Sequence, residues 1–192
     1  MVAKYATSRY SHWDQYDSER QFEDTLKKLH RRLNSTNPML SEDAALRLAQ
    51  IGFPAVTVLS VALMNESPHV AVNAARAIGI IGPDAKSAVF NLAWILQHPD
   101  KERRESAACA LGRLRTNPQL SIQALSFALS DTELSVRQYA AAALGEFDGD
   151  DLSYVIKELQ SATMDEDNNV RTFSRYALSK TENNRHFMAN TG

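Results

Sequence analysis

Residue types that could do chemistry are present in this chain, but they are not gathered. Five histidines (His12, His30, His69, His98 and His186) are scattered, with no HExxH and no pair at i, i+4 that could hold a metal. The single cysteine, Cys109, cannot form an internal disulfide. It would be a nucleophile only if Arg103, Arg104 and Arg113 came near enough to lower its pKa. A small structural residue is the simpler reading. There is no phosphate-binding glycine loop and no paired cysteine motif. The expectation is a protein with no catalytic residue, no metal ligand and no cofactor.

The arginines are better organised. Arg104, Arg137 and Arg171 share one repeat position, and acids precede them: Asp100, Asp131, and Asp165 or Asp167. A basic ladder for an acidic ligand is one reading. The other is structural: each guanidinium holds its own loop by a charge-assisted hydrogen bond. Because acids and arginines recur with one period, the structural reading is favoured. Arg103, Arg104, Arg113 and Arg115 form a denser cluster around one helix, and the last two complement the dipole at its C-terminal end.

The elements that position these residues are repeats. HVAVNAARAIG (69–79), RRESAACALG (103–112), SVRQYAAAALG (135–145) and NVRTFSRYALS (169–179) are near copies, with a weaker one, DAALRLAQIG, at 43–52. Their last residues are spaced by 33, 33 and 34, the mark of a stacked repeat protein. In each first helix, small residues such as Ala140 and Ala143 let neighbours approach closely, with Val136 and Leu144 at helical spacing. Gly52, Gly79, Gly112 and Gly145 are read as helix ends with a left-handed backbone. Pro54, Pro83 and Pro118 restart the chain near the first turn of each second helix. There Val56, Val89, Ile122 and Ile156 are equivalent, as are Leu59, Leu92, Leu125 and Leu159. Leu63, Leu96, Leu129 and Thr163 form a third set. These are expected to be core.

Before the repeats, Ser18 with Gln21 reads as a capping box, followed by an apolar stripe of Phe22, Leu26, Leu29 and Leu33. The spacing predicts a flexible aromatic arm at 1–17, a single domain at 18–180 opened by a capping helix, and a polar tail at 181–192. The last copy lacks a convincing second helix, so the stack has about four and a half repeats.

The period also fits ankyrin and tetratricopeptide repeats, but their signatures are absent. The pattern D-x-x-L-S-V-R-x-x-A-A-x-A-L-G resembles the short HEAT-like repeat of phycobilisome lyase proteins, over roughly 41–180. The resemblance implies an all-α fold, a right-handed α-α superhelix. In that family paired subunits attach or detach linear tetrapyrroles on phycobiliproteins, and other members are adaptors without chemistry. The His-Glu pairs of the iron-binding HEAT enzyme deoxyhypusine hydroxylase are missing.

A second register on the second helices bears on function. Val61, Trp94 and Phe127 are equivalent, with Met64, Phe90, Leu120, Tyr154 and Met164 on the same face, opposite the core stripe of Ile122, Leu125 and Leu129. If second helices line the concave surface, as is usual in such stacks, these residues make an apolar strip for a partner. Two other readings stay open: flanking core, or a seat for the aromatic arm. The expected function is a scaffold or adaptor that binds another protein along this strip. The alternative is a bilin lyase or lyase-like chaperone subunit cradling an open-chain tetrapyrrole there, with arginines meeting its propionates. A net charge of −2 argues against nucleic acid. The longest nearly apolar run, 53–64, is too short to span a bilayer, and one unpaired cysteine fits the cytoplasm.

Overall fold

The computed structural model describes the backbone of residues 6–189 and the side chains of residues 19–181. Its order is α1 (Ala6–Leu33), α2 (Pro38–Ile51), α3 (Val56–Ala62), α4 (Pro68–Ile81), α5 (Val89–Ile95), α6 (Lys101–Leu114), α7 (Pro118–Ala128), α8 (Leu134–Leu144), α9 (Ile156–Ala162) and α10 (Asn168–Ala189). Short 3-10 turns at Phe53–Ala55, Gly82–Ala88 and Asp151–Tyr154 lead into α3, α5 and α9. No strand occurs among the described residues, so the chain is all-α. The pairs α2/α3, α4/α5, α6/α7 and α8/α9 are the repeats, and α10 is the half repeat. Among the described residues, no helix is long and apolar enough to cross a membrane.

The periodic core positions are where the pattern puts them. Leu59, Leu92, Leu125 and Leu159 are wholly buried, as are Val56, Val89 and Ile122, while Ile156 is half-buried beside buried Val155. Leu63, Leu96 and Leu129 follow in the same layer, and Thr163 stays half-buried. Val136, Ala140, Ala143 and Leu144 are buried on the first-helix side. Prolines open the helices: Pro38, Pro68 and Pro118 sit in the first turns of α2, α4 and α7, where a missing N–H costs little.

Both chain ends differ from the sequence reading. Helix α1 begins at Ala6, so Ser18 lies inside it and is not a cap, and most of the stretch read as a flexible arm is helical. Residues 6–17 contain neither proline nor glycine, so no residue there breaks the helix. Residues 1–5 lie outside the described residues. Helix α10 likewise runs to Ala189 through most of the stretch read as a polar tail, and 190–192 lie outside the description. On α1, Leu29 and Leu33 are buried and Leu26 partly so, while Phe22 remains largely exposed.

The glycines do two different jobs. Gly52 ends α2 at φ 78° and Gly82 follows α4 at φ 72°, the left-handed conformations that favour glycine. Gly79 and Gly112 lie inside α4 and α6, and Gly145 has φ −62°. Their role is close approach, not chain reversal. A methyl group at Gly112 would lie 2.7 Å from Ala143 Cβ, and one at Gly79 would lie 3.3 Å from Ala110 Cα.

That close approach determines the curvature. The first helices α2, α4, α6, α8 and α10 touch one another in order, as closely as Gly112 meets Ala143, whereas the shorter second helices meet more sparsely. A two-layer stack bends toward its shorter layer, so the first helices line the inner face. The expectation that the second helices line the concave surface is therefore corrected. Alanines and glycines give the first-helix layer the smaller spacing.

Candidate functional site

On the outer layer, Val61 of α3 is 61% exposed, Phe90 and Trp94 of α5 are 68% and 65%, and Phe127 of α7 is 73%. These values rule out the flanking-core reading for these four residues. Phe90 and Trp94 are one turn apart on α5, and Phe127 occupies the position equivalent to Trp94 on the next second helix. Asn91 Nδ2 donates to Ser60 O at 3.4 Å and bridges α5 to α3. Met64, Tyr154 and Met164 are also exposed. Tyr154 lies on the 3-10 turn before α9, and burial together with the Asp151 charge pushes its hydroxyl pKa up, so it stays protonated. Leu120 is a correction: it is half-buried against the core and is not offered to a partner.

The arginine ladder is structural, with a different partner from the one expected. Arg104 donates through Nε and Nη2 to both carboxylate oxygens of Asp131, at 2.7 and 2.9 Å. Asp131 lies in the following loop. The Arg104 Nη1 holds the preceding loop through the carbonyls of His98 and Pro99, both at 2.8 Å. Arg137 repeats this with Asp165 at 2.8 Å and Asp131 O at 3.1 Å. Arg171 holds the carbonyls of Asp165 and Glu166 at 2.8 and 2.9 Å. Arg104 and Arg137 thus staple two successive loops each. Burial disfavours the Asp131 charge, but hydrogen bonds from Arg104 and the Glu133 N–H, with the Arg104 and Arg137 charges, outweigh it. Its carboxyl pKa is held below the ordinary value.

The N-terminal loops use neutral groups for the same task. Asn65 Nδ2 donates to Asn34 Oδ1 at 2.8 Å, and a His69 ring nitrogen lies 3.0 Å from Ser35 O. Within the sequence the substitution is paired: Ala71 stands at the Arg104 position and His98 at the Asp131 position.

The dense basic cluster is split. Arg103 takes a position held elsewhere by Val70, Val136 and Val170; it is buried and donates to Glu66 O at 2.5 Å. Arg104 is in its staple. Arg113 and Arg115 instead reach the inner face, where cavities of about 320, 410 and 340 Å³ adjoin one another. All three are lined by half-buried Cys109 and by Tyr139, and Arg76 lines two of them. Arg103 and Arg104, both engaged with loop groups, do not line any of the three. The sequence reading missed this groove. Its signal was the alanine and glycine content of the first helices, which marks the inner layer.

A tetrapyrrole site on the Trp94 strip needs cations beside the aromatics. The ladder arginines are spent on loops, and Arg76, Arg113 and Arg115 lie on the first-helix side.

No protein-family profile matches the sequence, and no curated protein does. Solved structures do match. The complex of CpcE and CpcF of phycocyanin lyase from Nostoc sp. PCC7120 is similar with TM-score 0.67 and 22% identity, over 80% of this chain and 98% of that one. An engineered protein gives TM-score 0.61 and 24% identity, over 81% and 78% of the two chains. A designed armadillo repeat protein in complex with the peptide (KR)4 gives TM-score 0.61 and 18% identity, over 81% of each. With these likenesses beside the stacked helix pairs, the protein has the α-α repeat solenoid fold that these structures share.

Proposed function

We propose that this protein is a binding scaffold that recognises another protein through the outer aromatic strip of Phe90, Trp94 and Phe127, extended by Val61, Met64 and Tyr154. One observation carries the reading: three large aromatic side chains on adjacent helices are each about two-thirds exposed. With about 150–250 Å² per aromatic side chain, they present roughly 400 Å² of aromatic surface in all. The largest exposed apolar patch on a monomer is often its functional one. Tryptophan and phenylalanine at its centre are the residue types that anchor interfaces.

The test is paired binding and melting of Trp94→Ala and Phe127→Ala. A defined polypeptide retained by the wild type and released by both variants, at an unchanged melting temperature, supports the strip. A partner held equally by wild type and variants removes it.

A second reading, a lyase-like subunit, is supported by the likeness to the phycocyanin lyase complex and by the groove cations Arg76, Arg113 and Arg115. Adding a bilin to the purified protein separates the two. A shifted visible absorbance band favours the lyase-like reading, and an unchanged spectrum favours the scaffold.

A further inference from the structure

We infer that the inner groove is a second binding surface, distinct from the aromatic strip, and that it takes an extended acidic polypeptide segment. The three adjoining cavities share Cys109 and Tyr139 and cross α2, α4, α6 and α8. Four helices at spacings of about 8–10 Å span roughly 24–30 Å. That length suits about eight or nine residues of extended chain at ~3.3 Å each, and it is too long for one small metabolite. The floor is made of small residues, Gly79, Ala110, Gly112 and Ala142, of which the two glycines admit the neighbouring first helices. Leu46 and Ile80 at one end and Tyr139 at the other are each about half-exposed and offer apolar contacts.

The charge of the occupant follows from three guanidinium groups. Arg76, Arg113 and Arg115 are exposed, and none has a hydrogen bond or ion pair among the described residues. By contrast, Arg104 and Arg137 each donate through Nε, Nη1 and Nη2 to loop carbonyls and carboxylates. Arg76 and Arg113 lie one turn apart in level on adjacent helices, with Arg115 just beyond. Arg115 also holds a left-handed backbone at φ 48°, where Gly52 and Gly82 serve other repeats. An arginine stands there in a backbone region that favours glycine. The groove has acids as well. Glu42 and Glu102 lie toward the N-terminal edge of the first helices, Glu105 accepts from Ser135 Oγ, and Glu146 lies near Arg113 and Arg115 without pairing to them. Arg76 and Arg113 at the centre and Arg115 beyond them outnumber Glu146 there, and carboxylates spaced along an extended chain can form bidentate pairs with these guanidinium groups.

Fluorescence anisotropy with a labelled peptide of about nine residues alternating Glu and Leu, alongside a Lys-Leu control, tests this. The acidic peptide is expected to bind, to weaken as salt rises, and to lose tenfold or more in affinity in the double variant Arg76→Glu, Arg113→Glu. Trp94→Ala should bind it as the wild type does. Both substitutions of the double variant are at exposed positions, and a circular-dichroism melt checks that it folds. Four results overturn the inference: no binding of the acidic peptide, equal binding of the Lys-Leu control, wild-type affinity in the folded double variant, or loss in Trp94→Ala. Complete displacement by millimolar inorganic phosphate also overturns it, because the groove would then be a small-anion site.

Discussion

The inner and outer layers of this stack are built from helices of different length, about four turns in most first helices and about two in most second ones, and from different residues. The first helices carry alanine and glycine at their contacts and touch their neighbours directly, as at Gly112 and Ala143. The second helices carry leucine toward the core and aromatics toward solvent, and they stand apart. One layer has spent its surface on holding the stack together, while the other has left large side chains uncovered. Side-chain size at the contact decides which layer is inside.

The strongest way to break the inner layer is to remove a staple. Arg104→Ala leaves a largely buried Asp131 without its cation and frees two loop carbonyls. The expected loss is about 3 kcal/mol, read from urea denaturation. Gly112→Ala should cost less, about 2 kcal/mol, since one methyl must push Ala143 and its helix away. An outcome near zero would mean that the layer spacing is soft and that curvature is not set there.

Acid should separate the two halves of the stack. The folded-state pKa of Asp131 lies below its unfolded value, so its contribution is complete above about pH 4. It disappears as the pH falls through the folded value. The Asn34–Asn65 contact contains no carboxylate. Amide protection factors should therefore fall first around 131–133 as the pH is lowered to 3, with the 34 and 65 loops responding later. A uniform fall in protection would show that the staples do not set local stability. The smallest effect belongs to the outer layer: Trp94→Ala should change stability by no more than about 0.5 kcal/mol. A loss of about 3 kcal/mol or more would return Trp94 to the core.

Much of this was legible in the sequence, for reasons that differ by residue. Leu59, Leu92, Leu125 and Leu159 were identifiable because burial follows the repeat period. The exposure of Trp94 and Phe127 followed from the same helical phase. The face did not, because a period says which residues are equivalent and not which layer is inner. Gly79 and Gly112 were misread because a glycine that ends a helix and one that admits a neighbouring helix look alike in one dimension. The Arg104 partner was ambiguous for a related reason: arginine and acid share one period, so Asp100 and Asp131 fit equally well. At the chain ends, Ser18 resembled a cap, but the residues before it contain nothing to stop a helix.

The tight row of first helices also has a mechanical meaning. A body stiff along one edge and loose along the other flexes about the stiff edge, as a book opens about its spine. Points on the spine hardly move, while points a helix diameter away move in proportion to that distance. For a layer separation of about 10 Å, a 5° opening per repeat displaces the outer helices by roughly 1 Å relative to one another. The gap between Trp94 and Phe127 would therefore be adjustable at a strain that the Gly112–Ala143 contact barely feels.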